Sequence, residues 1–127
     1  MSNLVNAFLG TVGKKTSEFV EVPDVGRVGV LTSLTLQSRA EYFLERKDKD
    51  HIANALLLQK TVFDPETNEF ILQKLSLEDI NNLPTYVTDP MVKVALKAIG
   101  ITQEAIKKQL EKEAESEELK NSENDQN

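Results

Sequence analysis

The sequence predicts a mainly α fold with a small β component: a compact helical domain with a short hairpin, followed by a charged C-terminal helix and tail. Three observations carry this. Apolar residues recur at helical spacing in most segments beyond residue 35. Residues with a physical reason to start or stop an element separate those segments. The composition, 39% hydrophobic and 28% charged over 127 residues, is that of a globular chain long enough for one domain with a modest core.

The first segment places Leu4, Val5, Phe8 and Leu9 at helical spacing, and Gly10 and Gly13 end it. After the polar connector Lys14-Lys15-Thr16-Ser17, the stretch Glu18-Phe19-Val20-Glu21-Val22 reads as a strand. Pro23 and Gly26 interrupt it, and Val28-Gly29-Val30-Leu31 resumes the extended pattern. From Thr35 the period becomes helical: Leu36, Ala40, Phe43 and Leu44 lie at i, i+4, i+7 and i+8, with Thr35 or Ser33 as the cap. Asp50 is placed to cap the next helix, over 50–60. Its Ile52, Ala53, Ala55, Leu56, Leu57 and Leu58 cover most of the circumference and predict a central position in the core.

Asp64-Pro65-Glu66-Thr67-Asn68 has the chemistry of a tight turn, so Thr61-Val62-Phe63 and Phe70-Ile71-Leu72 are expected to pair as a small hairpin. Ser76-Leu77-Glu78-Asp79 starts a short helix that Pro84 stops. Asp89 is expected to cap the following helix with Pro90 in its first turn, Val92, Ala95, Leu96 and Ile99 buried, and Gly100 at its end. A last helix begins near Thr102, with Ile106, Leu110 and Ala114 four apart. The composition from Lys120 onward is that of a disordered tail. The expected organisation is a partly flexible N-terminal segment over 1–24, a compact domain over 25–102 and an acidic helix fading into a tail over 103–127.

The balance of charge narrows the partners. With 15 basic and 21 acidic residues the net charge is −6, and nucleic-acid binding by phosphate neutralisation needs the opposite sign. Residues 103–127 hold eight of the acids against four lysines. The longest uninterrupted apolar run is four residues, 55–58, far short of the roughly 20 that a membrane-spanning helix needs. The start Met1-Ser2-Asn3-Leu4 lacks the basic flank and apolar segment of a secretory signal, and a cytoplasmic address is expected. No cysteine is present, which excludes disulfides and thiolate metal ligands.

The search for catalytic chemistry returns little. Gly13-Lys14-Lys15-Thr16 has part of a phosphate-binding loop, but Phe8 stands where the motif needs glycine. His51 is the only histidine and reads as a surface residue beside a helix start. Glu78 and Asp79 are explained by the helix dipole they face. Asp48, Asp50 and Asp64 lack the spacing of a calcium loop. The chain is therefore expected to be no enzyme and to use neither cofactor nor metal. Binding is the remaining theme. Tyr42 and Phe43 either face the core or offer an aromatic anchor to a partner. The stripe carrying Ile106 and Leu110 either packs back or docks into another chain. Tyr42, Phe43, Ile106 and Leu110 are the candidate partner-binding residues.

The block from the helix over 50–60 through Val62-Phe63-Asp64-Pro65-Glu66-Thr67-Asn68-Glu69, Leu75-Ser76-Leu77-Glu78-Asp79-Ile80, Leu83-Pro84 and Leu96-Lys97-Ala98-Ile99-Gly100 resembles the tail assembly chaperones of long-tailed bacteriophages. Gly29-Val30-Leu31-Thr32-Ser33-Leu34-Thr35 and Arg39-Ala40-Glu41 suit the same pattern, so the resemblance spans about residues 25–115. It implies a non-enzymatic helper in the cytoplasm of an infected or lysogenic bacterial host that keeps the tape measure protein soluble during tail morphogenesis. It also implies the tail tube protein as a further partner, reached through a longer frameshifted form, and leaves room for a homo-oligomer. No functional residue transfers from it. The alternative is a structural connector or tail subunit retained in the virion.

Overall fold

The structure, a computed structural model, describes residues 3–101. Among them are five α-helices and one small sheet, so the fold is mainly α with a small β component. The expected helix beyond Thr102, with Ile106 and Leu110, and the acidic tail lie outside the described residues.

After α1 (Asn3–Leu9), strands β1 (Ser17–Val22) and β2 (Gly26–Leu31) form an antiparallel hairpin with Val20 opposite Val28. Its turn is written in the sequence. Val25 N–H donates to the Val22 carbonyl at 3.1 Å, Pro23 holds the second position, and Asp24 takes the left-handed third position at φ 66°. Since β1 opens at Ser17, an independent N-terminal segment running to residue 24 would cut this hairpin in two; β1 belongs to the body.

The hairpin expected between Thr61-Val62-Phe63 and Phe70-Ile71-Leu72 does not form. The turn itself is there: Glu66 N–H donates to Asp64 Oδ1 at 2.9 Å, Asn68 N–H to the Asp64 carbonyl at 2.7 Å, and Asn68 is left-handed at φ 62°. But Val62–Phe63, as β3, pairs with Val30 and Gly29 of β2, giving the order β1-β2-β3. Ile71–Lys74 coils into a 3₁₀ turn instead. An existing strand edge offers a ladder within a larger sheet, which an isolated two-stranded hairpin cannot match. Gly29 admits this arrangement, because a Cβ there would overlap the Phe63 ring.

The inner face of the sheet, carrying Val20, Val22, Val28, Val30 and Val62, packs on two helices. One is α3 (Ala53–Thr61), the most buried helix as its composition predicts, with Leu57 and Leu58 almost wholly removed from water. Asp50 does not cap it. It lies in a preceding 3₁₀ turn (Asp50–Ile52) and pairs with Arg46 at 2.9 Å.

The second helix is α5 (Thr85–Ala95), which starts directly after Pro84 rather than at Asp89, so Pro90 lies inside it. Pro90 lacks the N–H that would bond the Tyr86 carbonyl, a defect worth about 3 kcal/mol in a helix interior. The longer helix offsets this by bringing Val87 into one buried stripe with Met91 and Ala95. Tyr86 O–H donates to Asp24 Oδ2 at 2.7 Å and Lys97 pairs with Glu18 at 2.6 Å, tying this helical arm to the hairpin. Beyond α5 a 3₁₀ turn ends as expected at Gly100, left-handed at φ 85°. Gly100 N–H donates to Lys97 O and Ile101 N–H to Leu96 O, both at 3.1 Å, the pairing that satisfies the last free carbonyls of a helix.

Between α3 and α5 sits α4 (Leu77–Asn81). Ser76 Oγ accepts from Asp79 N–H at 3.0 Å while Asp79 Oδ2 accepts from Ser76 N–H at 3.3 Å. This reciprocal cap accounts for the Ser76 and Asp79 spacing.

Candidate partner-binding surface

Helix α2 (Leu36–Arg46) starts as its sequence directs, with Thr35 Oγ1 accepting from Ser38 N–H at 3.1 Å. Its orientation is the reverse of the expected one. Leu36, Ala40, Phe43 and Leu44, spaced to be a core stripe, all face water, with Leu36 78%, Phe43 46% and Leu44 74% exposed. The face turned to the body carries Ser38, Tyr42 and Arg46, at i, i+4 and i+8. Only Tyr42, at 1% exposure, is fully buried there.

Tyr42 is therefore a core residue and not an anchor for a partner. Its aromatic ring supplies the large apolar area that seats α2 on the domain. Burial pushes its phenol above the ordinary tyrosine pKa, an effect the Arg46 guanidinium partly opposes. Arg46 lies over the Tyr42 ring at 5.9 Å, and its hydrogen bond to Asp50 holds the guanidinium charged. Glu45 and Lys60, 3.4 Å apart, join α2 to α3.

Phe43 abuts the Tyr42 ring edge-on at 5.2 Å between centroids, and that contact fixes its position while leaving its outer side in water. Together with Leu36, Ala40 and Leu44 it forms an apolar stripe on the order of 400 Å² on a capped helix, within the range of the largest apolar patch on a typical monomer, which is often functional. Leu36 and Leu44 escape sequence reasoning as binding residues because their spacing is also that of a core stripe; the signal available was the competing i, i+4, i+8 row through Tyr42.

The residues with chemical potential are not brought together. His51 is exposed, and its carbonyl accepts from Asn81 Nδ2 at 3.0 Å. Asp79 is engaged in its cap, Asp64 in its turn and Asp50 with Arg46. Among the described residues no group of three or more His, Asp or Glu side chains is placed to hold a metal ion. No helix among them is long and apolar enough to cross a membrane. No protein-family model, curated protein or solved structure matches this chain.

Proposed function

We propose that this chain is a non-enzymatic tail assembly chaperone of a long-tailed bacteriophage, which binds the tape measure protein in the host cytoplasm and keeps it soluble during tail morphogenesis. The observation that carries the reading is the outward apolar stripe of α2. An amphipathic helical cargo exposes apolar ridges until its assembly partners arrive. A helix offering Leu36, Ala40, Phe43 and Leu44 at helical spacing matches such a ridge side by side, in the manner of amphipathic helix recognition. The excess of acid, a net charge of −6, favours solubility of the loaded complex.

The test is co-expression with a tape measure protein from the same phage genome. The wild-type chain is expected to hold that protein in the soluble fraction, and Phe43→Asp to send it to the pellet while the chaperone itself stays folded. If tape measure protein stays fully soluble with the variant, the α2 assignment fails. Mass spectrometry of purified particles addresses the competing role: a chaperone is absent from them, and stoichiometric retention identifies a connector or tail subunit.

A further inference from the structure

Two more apolar surfaces lie outside the core, and neither belongs to α2. Every residue of α1 is exposed. Leu4, Val5, Phe8 and Leu9, with Val12 just beyond, follow one side of it at 44 to 78% exposure. The other surface is the outer face of the sheet, where Phe19, Leu31, Phe63, Pro65 and Phe70 line an open cleft of about 470 Å³ with Lys15 at its rim. Phe63 and Phe70 meet edge-on at 6.3 Å, and Lys15 lies over the Phe70 ring at 5.1 Å.

We propose that α1 of one chain docks in the sheet cleft of a second copy, each chain giving a helix and receiving one, so that the protein forms a reciprocal dimer. The chemistry of the two surfaces matches. Asn3–Leu9 contains no charged residue, so nothing in the helix carries a charge into a cleft walled by aromatic rings. The tether also fits. Gly13, which takes a left-handed φ of 81°, lines the cleft and follows Leu9 by only four residues, so the connector leaves the sheet beside the cleft. The connector 10–16 spans at most about 25 Å when extended, enough to cross a nearby two-fold axis.

Area favours the reciprocal arrangement over a single contact. One helix-in-cleft contact of this size buries on the order of 1,000 Å² counting both partners, below the standard stable interface, whereas two related by symmetry reach about 2,000 Å². A two-fold exchange also closes on itself and leaves no free helix to propagate a filament. The contact uses no residue of the α2 stripe, so each chain of the dimer keeps that surface free.

Sedimentation equilibrium of the full chain is the test. A dimer with a Kd on the order of micromolar is expected for an interface of this size. Phe8→Asp and Phe19→Asp should each weaken it by about tenfold or more, with unchanged far-ultraviolet circular dichroism; Phe19→Gln is the milder cleft variant should the aspartate disturb the strand. A mixture of Phe8→Asp and Phe19→Asp chains should associate more tightly than either alone, since one intact helix meets one intact cleft. A wild-type chain that stays monomeric through the micromolar range overturns the proposal. So does dissociation by Phe8→Asp with no effect of either Phe19 variant, which assigns the contact to α1 against α1, or a mixture no tighter than its components.

Discussion

Replacing Leu36 and Leu44 together by glutamine separates the two roles that their spacing allows. In the structure these side chains are 78% and 74% exposed, so only about a quarter of each is withdrawn from water. Full burial of a leucine contributes about 1.5–3 kcal/mol, and the quarter that is buried here corresponds to roughly 0.5 kcal/mol each. Glutamine keeps nearly the helix propensity of leucine, so the double variant should lose about 1 kcal/mol in all. Were the pair part of the core, loss of the two buried side chains would cost about 2–5 kcal/mol apiece, close to or beyond the whole stability of a domain of this size. Urea unfolding followed by circular dichroism reads the difference directly, through the midpoint at constant slope. The same variant should bind tape measure protein at least about thirtyfold more weakly, since docking would bury the exposed remainder, worth about 2 kcal/mol per leucine if fully covered. A loss of stability above about 3 kcal/mol would show that the stripe is packed in solution, and the reasoning about α2 would fall with it.

Gly29→Ala should destabilise the domain by about 1 kcal/mol, because the new methyl displaces the Phe63 ring that lies over Gly29; thermal unfolding measures this, and an unchanged midpoint would contradict the contact. Ser76→Ala should cost about 1 kcal/mol through loss of the reciprocal cap on α4, visible as a shifted urea midpoint. The Tyr42 phenol has its folded pKa raised by burial, so the stability it contributes is whole below the unfolded value near about 10 and is lost as pH rises through the higher folded value. Alkaline unfolding should therefore begin above that pH, and Tyr42→Phe should flatten that limb of the stability curve. An alkaline limb identical in the variant would remove Tyr42 as its source.

Much of the fold was legible because it is local. Thr35 and Ser76 cap the helices they precede, the Asp64 to Asn68 turn has its expected bonds, and Gly100 ends its helix in a left-handed conformation. Each depends on a few neighbouring residues and on chemistry that distant parts of the chain do not alter. The composition of α3 also foretold its burial, since a helix apolar nearly all round has few other places to go. The candidate site was less legible. Phe43 keeps an exposed side on α2, but in the sequence it comes coupled to Tyr42, which the structure turns inward.

What the sequence determined by itself was the mainly helical class, the caps at Thr35 and Ser76, the Asp64 to Asn68 turn, the stop at Gly100 and the absence of cysteine. What only the tertiary structure decided was which faces those elements conceal. Two stripes on α2 compete, and the one through Tyr42 goes inward, where its buried ring packs into the core and Arg46 joins the loop at Asp50. Likewise Val62 and Phe63 join β2, across Gly29, rather than the segment beyond their own turn. Such choices depend on contacts between residues far apart in sequence, and here they convert an apparent core stripe into the surface on which the proposed function rests.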